Sequence, residues 1–144
     1  MDEIYHHALK LLRRRDYTIS QLREKMEIKF GEVPDEIIST LLQHRYLDDS
    51  RYALNLVARR RHCHPSAVRE ELLRAGVSVE IIEESILNGD WPTLRDALRA
   101  KMKGWNLHAP IHHREASRLF RALARLGFPE DEIREELELI HEQQ

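Results

Sequence analysis

The segment His62, Cys63, His64 contains the side-chain types that bind zinc or copper. Neighbouring residues project in different directions from a helix or a strand, and no second pair of cysteines or histidines stands at a spacing that would complete a closed site. We therefore interpret the segment as a loop in front of Pro65, which begins the next helix as a first-turn proline. The sequence predicts no metal ion and no cofactor.

The paired carboxylates Asp48 and Asp49 could serve acid–base catalysis, but they stand directly before a segment of helical apolar spacing, where aspartate caps a helix. Capping is the preferred interpretation, with Tyr46 and Leu47 packing into the core. The five glycines are scattered, and the motifs of phosphate loops, dinucleotide folds, nucleophile elbows and zinc proteases do not occur. We predict that the chain is not an enzyme. An unrecognised active site built on its histidines stays a third alternative.

Basic residues gather at Arg13–Arg15, at Arg59–Arg61 and in the segment Lys101–Lys103, each time at the predicted end of a helix. There they offset the negative end of the helix dipole. Three adjacent arginines point in different directions around a helix, so at least some of them must face solvent or a charged partner. Trp91 and Trp105 could stack on nucleic-acid bases beside such residues. Packing in the core or at a hinge is the interpretation that we prefer for both.

The elements that position these residues are marked by three glycines, Gly31, Gly76 and Gly127, which are 45 and 51 residues apart. Each ends a stretch whose apolar residues recur every three or four positions, and each precedes proline or serine with acidic residues, which is typical of a new helix. Another helix precedes each stretch. We predict an all-α fold of nine helices near residues 4–45, 49–88 and 91–142, organised as three tandem three-helix repeats at 1–47, 48–90 and 91–144. Leu72 and Leu123, each one turn before a glycine, are predicted to be buried equivalents.

Composition agrees with a folded helical protein, since 42% of the 144 residues are hydrophobic and only five are proline. No apolar run approaches the length of a membrane span, and the amino terminus lacks the pattern of a signal peptide. With a single cysteine, these features favour the cytoplasm. The net charge is −2, but basic and acidic stretches alternate along the chain. Residues 93–125 carry eight basic and two acidic residues, whereas residues 126–144 carry one and seven.

The middle of the sequence resembles the RecX family of regulatory proteins, which act on the RecA recombinase. The most specific match is residues 46–53, Tyr-Leu-Asp-Asp-Ser-Arg-Tyr-Ala, followed by Val57, Arg59–Arg61 and residues 68–77. Weaker similarity covers residues 8–25 and 118–128, so the resemblance extends over nearly the whole chain. Two features depart from the family pattern: the loop before Pro65, where the family tends to carry glycine, and the net charge, which is less basic than expected.

The resemblance implies an elongated, curved array of repeats that lodges in the groove of the RecA filament on DNA. It also implies inhibition of filament extension, recombinase activity and coprotease activity, with roles in DNA repair, DNA recombination and the SOS response. Single- or double-stranded DNA is a further partner, and we expect a monomer without membrane contact. The residues expected to contact the filament or DNA are basic and belong to the first two helices of the units: Arg13, Arg14, Arg15, Arg51, Arg59, Arg60, Arg61, Arg69, Arg74, Lys101, Lys103, Arg118 and Arg121. The alternative is a helical module that binds nucleic acid directly, because three-helix units resemble helix-turn-helix domains.

Overall fold

The computed structural model describes residues 2–141, and most of this range is helical. Its nine helices are α1 (Asp2–Arg14), α2 (Ile19–Phe30), α3 (Asp35–Gln43), α4 (Asp49–Arg59), α5 (Pro65–Arg74), α6 (Val79–Leu87), α7 (Leu94–Gly104), α8 (His113–Arg125) and α9 (Glu130–Glu138). The described range contains no strand, only an isolated parallel bridge between Ile111 and His141. The predicted all-α class is confirmed. None of the described helices is long and apolar enough to cross a bilayer.

The chain divides into two compact units, one formed by Met1–Arg59 with Arg69–Asn88 and the other by Arg60–Val68 with Gly89–Gln144. The core of the first unit includes Leu22, Met26 and Leu41, none of them more than 1% exposed. The division into three repeats and their curved array stay predictions.

The core of the second unit is built on Ile111, Leu119, Leu123 and Ile133, all of them fully buried. Leu72, in the first unit, is also fully buried, so the predicted burial of Leu72 and Leu123 is confirmed. The apolar spacing of three and four positions therefore identified the inward face of both helices correctly.

Glycine ends the second helix of each predicted repeat, as expected. Gly31, Gly76 and Gly127 all have positive φ, at 77°, 83° and 97°. At Gly76 a Cβ atom would collide with the side chain of Ser20, in the first turn of α2. Glycine is required there because it combines the positive φ with this close approach.

The same kind of contact occurs in both units. In the first unit, the Thr18 hydroxyl at the start of α2 donates to the carbonyl oxygen of Ala75, next to Gly76. In the second unit, the Ser66 hydroxyl in the first turn of α5 donates to the Gly127 carbonyl oxygen at 3.0 Å. In each case the first turn of one helix binds the glycine turn that ends another. This contact fixes the N-terminal turns that follow the basic segments Arg13–Arg15 and Arg59–Arg61.

The Asp48–Asp49 pair caps two different helices. Asp48 Oδ1 accepts from the Arg51 amide at 3.2 Å, which caps α4, and Asp49 Oδ1 accepts from the Ile19 amide at 2.9 Å at the start of α2. The capping prediction is thus confirmed, although Asp49 serves a helix distant in sequence. Leu47 is buried as predicted, at 1% exposed, but Tyr46 is 49% exposed and the prediction for it was wrong. Its ring lies on the surface against His44, because α3 has already ended at Gln43.

Candidate functional site

Trp105 lies at the centre of a basic surface in the second unit. Its backbone amide donates to the Lys101 carbonyl oxygen at 3.0 Å, which fixes the residue at the C-terminal end of α7. The Arg118 guanidinium of α8 stands 3.8 Å from the centroid of the indole ring, and the Lys101 ammonium stands 5.6 Å from it. Both distances are within the range of cation–π attraction. The ring therefore holds one cation from each helix in place.

A cavity of about 480 Å³ opens beside this ring. We call it the Trp105 pocket, and it is lined by Lys101, Trp105, Arg118, Arg121, Ala122, Arg125 and Leu126. Three of its arginines are spaced three and four residues apart, so they share one face of α8. Within residues 2–141, none of its four cations forms an ion pair with a carboxylate. Positive charges without opposing charge attract anions.

Helix α8 presents these arginines because its opposite side is anchored in the core. Leu119 and Leu123, one turn apart, are fully buried. A capping box starts the helix, with His112 Nδ1 accepting from the Glu115 amide at 3.4 Å and the Glu115 carboxylate accepting from the His112 amide at 3.2 Å. Local capping and burial of the leucines thus fix the rotation of α8, which sets the direction of its basic face.

A related arrangement surrounds Tyr17 in the first unit. The Arg15 guanidinium stands 4.6 Å from the centre of the Tyr17 ring, and the Lys25 ammonium stands 5.8 Å from it. A cavity of about 520 Å³ adjoins this ring, but the acidic residue Glu24 also lines it. The Trp105 pocket, which has no acidic residue in its lining, is therefore the stronger candidate for a large anionic partner.

Comparison with known proteins decides the family. The chain is 33% identical to the regulatory protein RecX of Trichlorobacter lovleyi over 143 residues, which cover 92% of each chain. It is also 33% identical to the regulatory protein RecX of Thermus thermophilus over 129 residues, which cover 88% of this chain and 84% of that relative. The chain belongs to the RecX family. No protein-family model matches it.

In this RecX-family chain, the predicted contact residues fall into separate groups. Lys101, Arg118 and Arg121 come together in the Trp105 pocket, and Arg15 lies over Tyr17. Most of the others are exposed at or next to helix ends: Arg13, Arg14, Arg59, Arg61, Arg74 and Lys103. None of these exposed residues lines the Trp105 pocket, and Arg60 is half-buried.

Two predicted contact residues bind other groups of the same protein at its surface. The Arg51 guanidinium donates to the carbonyl oxygen of Arg45 at 2.7 Å, where the chain turns with a positive φ of 59°. The Arg69 guanidinium makes two hydrogen bonds to the Glu83 carboxylate, at 2.9 and 3.2 Å. These hydrogen bonds give Arg51 and Arg69 a structural role in this fold.

Sequence analysis missed Arg125 as a site residue and considered Trp105 as a stacking residue but preferred packing for it. The signal for Arg125 was its spacing of four residues from Arg121, which places both on one helical face. Trp105 resembles Trp91 in sequence, yet the two differ in the structure. Trp91 lies over Gly89, where an added Cβ would meet the indole, and Trp105 packs partly buried against the core of the second unit, so the packing interpretation fits both. Trp105 differs in that it also contacts two cations.

The His62–His64 segment forms the predicted loop before α5. Cys63 is buried, and His64 Nδ1 accepts from the Ser66 amide at 3.1 Å, which caps the helix that begins at Pro65. Among residues 2–141, no three His, Cys, Asp or Glu side chains come together as a group that could hold a metal ion. The local geometry of this histidine is that of a helix cap.

Proposed function

We propose that this RecX-family chain binds the RecA filament on DNA and limits its extension, recombinase activity and coprotease activity. Its relatives are described as regulatory proteins, which fits action on another protein. The observation that carries the proposal is the Trp105 pocket, in which cations from two helices meet without an acidic neighbour.

Such a pocket favours a partner that offers negative charge. A filament assembled on DNA combines phosphates with a protein surface that repeats along its length. The exposed arginines at the ends of α1 and α4 add further weak contacts to those of the Trp105 pocket. Several weak contacts to one repeating partner reinforce each other through effective concentration. The proposal therefore assigns binding to several basic places, with the Trp105 pocket as the main one.

Direct binding of nucleic acid is the second candidate, and the aromatic ring of Trp105 beside basic residues favours it. Arg118 already covers the indole at 3.8 Å, so contact with phosphates is more compatible with this geometry than stacking of a base. Binding through phosphates weakens steeply with salt, by a slope of about 0.7 per phosphate contact for single strands. If the chain instead docks on the RecA protein, binding requires RecA to be present on the DNA.

Co-sedimentation tests the proposal and separates the two candidates. The full chain is mixed with RecA filaments on single-stranded DNA, and in parallel with the same DNA alone, at several salt concentrations. We expect the chain to pellet with the filament at salt concentrations that release it from bare DNA. Equal binding to both at every salt concentration would favour the second candidate, and binding to neither would refute both.

A charge reversal tests the central basic run. Arg59 and Arg61 are exposed, whereas Arg60 is half-buried, so the R59E/R61E variant leaves Arg60 in place to preserve the fold. We expect weaker filament binding, because like charges then face each other at the interface. The control is E135K/E138K on α9, which reverses two exposed acidic residues and should be tolerated. Equal loss in both variants would contradict a specific role of Arg59 and Arg61, because the two variants change the net charge in opposite directions.

A further inference from the structure

The cavity next to Tyr17 belongs to the first unit, and Arg15 is the one residue of its lining that is also expected to contact the filament. It lies between α1 and α2, and Arg15, Lys25 and Lys29 contribute three positive charges to its wall, against one negative charge from Glu24. None of the three cations forms an ion pair with a carboxylate of residues 2–141. The cavity thus has a net positive charge that no side chain in this range neutralises.

The cations are held in place by two aromatic rings. Tyr17, only 5% exposed, attracts Arg15 and Lys25, and Lys29 stands 5.5 Å from the centre of the Phe30 ring. The Lys29 ammonium also lies 3.4 Å from His7 Nδ1. An ammonium group can only donate, so His7 accepts this hydrogen bond and is neutral in this arrangement.

Positive charges from both helices act on the His7 ring. The pKa of His7 lies below its usual value, and partial burial of the ring is the largest cause. The charges of four nearby cations lower this pKa further: Lys29, Lys10, Lys25 and Arg14. Glu24 is the acidic residue in the cavity wall. An anion in the cavity would offset the positive charges and attract the Lys29 ammonium away from His7 Nδ1, which leaves that nitrogen free to take a proton from solvent.

We propose that this cavity binds a phosphate group through Arg15, Lys25 and Lys29, and that His7 takes up a proton as the phosphate binds. Phosphate suits the site because its oxygens accept several charge-assisted hydrogen bonds at once, from an arginine and from lysines. Gln21 also lines the cavity, and since its Oε1 already accepts from the Thr18 amide at 3.1 Å, its amide group has donors left for the ligand. The phosphate can belong to a free phosphate compound or to the backbone of a nucleic acid.

Nuclear magnetic resonance of the full chain tests both halves of the proposal. The His7 ring signals, assigned by their loss in His7→Gln, are titrated with pH in chloride, in inorganic phosphate of equal ionic strength, and with a short single-stranded oligonucleotide. We expect inorganic phosphate to raise the pKa of His7. A rise with the oligonucleotide as well shows that the site accepts phosphodiesters, and a rise with inorganic phosphate alone restricts it to free phosphate groups. An unchanged pKa with both probes overturns the proposal.

Matched variants test which side chains bind the phosphate. Lys25→Gln and Lys29→Gln should each weaken binding of inorganic phosphate about tenfold, the effect of one lost charge-assisted contact. Lys10→Gln is the control at pH 8, where the charge of His7 does not contribute to binding, because Lys10 does not line the cavity, and it should bind inorganic phosphate as the parent does. His7→Gln should keep binding at pH 8 and lose the tighter binding of the parent at pH 6. Equal loss in the Lys10 and Lys29 variants would overturn the assignment.

Discussion

Replacing Thr18 with valine tests the contact between the start of α2 and the end of α5. Thr18 is fully buried. Its hydroxyl accepts from the Gln21 amide at 3.0 Å as the helix cap and donates to the carbonyl oxygen of Ala75. Valine has nearly the same shape as threonine but has no hydrogen-bonding group. The substitution therefore removes two polar contacts and leaves the packing almost unchanged.

The magnitude follows from these two contacts. Loss of a helix cap costs about 1 kcal/mol, and a buried carbonyl left without its donor costs about 1–3 kcal/mol. We expect Thr18→Val to lower the free energy of unfolding by about 2–4 kcal/mol. Thr18→Ser is the matched control, because it keeps the hydroxyl and loses only one methyl group, at about 1 kcal/mol.

Urea unfolding followed by circular dichroism measures the difference. With a typical urea dependence of about 2 kcal/mol per molar, the Thr18→Val midpoint should lie about 1–2 M below that of the parent, and the Thr18→Ser midpoint well above that of the valine variant. Midpoints of the two variants that differ by less than about 0.2 M would refute the reasoning, because loss of the hydroxyl would then cost no more than loss of the methyl group.

Three further pairs of substitutions test other parts of the fold. Leu72→Ala and Leu123→Ala remove fully buried side chains and should each cost about 2–5 kcal/mol in urea unfolding; unchanged midpoints would contradict the assigned core. Gly31→Ala meets no atom within 4 Å and adds only backbone strain, about 1–3 kcal/mol, whereas Gly76→Ala also collides with Ser20. The melting temperature of the Gly76 variant should therefore be the lower, and equal values would count against the close approach. Burial raises the pKa of Asp49 above 3.8, so ionisation of this residue weakens the fold as the pH rises from 3.8 through the folded-state pKa. Asp49→Asn should lose this pH dependence and keep the acceptor for the Ile19 amide. Asp49→Ala should lower the free energy of unfolding by about 1–3 kcal/mol even at pH 7. Equal stability of the two variants at pH 7 would show that the acceptor is unimportant.

The helices could be predicted from the sequence because their signals are local. Apolar spacing identified Leu72 and Leu123 as buried, and the helix ends predicted at Gly76 and Gly127 have the positive φ that glycine allows. The exposure of Tyr46 could not be predicted, because it depends on α3 ending at Gln43, and helix ends vary by one or two residues.

The candidate site was only partly predictable. Counting basic residues found Lys101, Arg118 and Arg121, but their approach to Trp105 depends on how α7 packs against α8, which is a tertiary feature. The same limitation applies to Arg69, which looks like a free surface arginine in the sequence and instead binds Glu83, 14 residues away. Charge patterns in a sequence show where cations are abundant, whereas only the packing shows which of them lack an acidic partner.

The measurement that tests the central claim most directly is the affinity of two matched variants for RecA filaments on single-stranded DNA. R121Q/R125Q removes two cations of the Trp105 pocket and leaves Arg118 on the indole. R99Q/R114Q removes two exposed arginines of the same unit that lie outside this pocket. If the pocket binds the filament, the first variant should bind at least about tenfold more weakly than the parent, as expected for the loss of charge-assisted contacts, and the second should bind as the parent does. Equal affinities for the two variants would contradict the assignment of the Trp105 pocket as the binding surface.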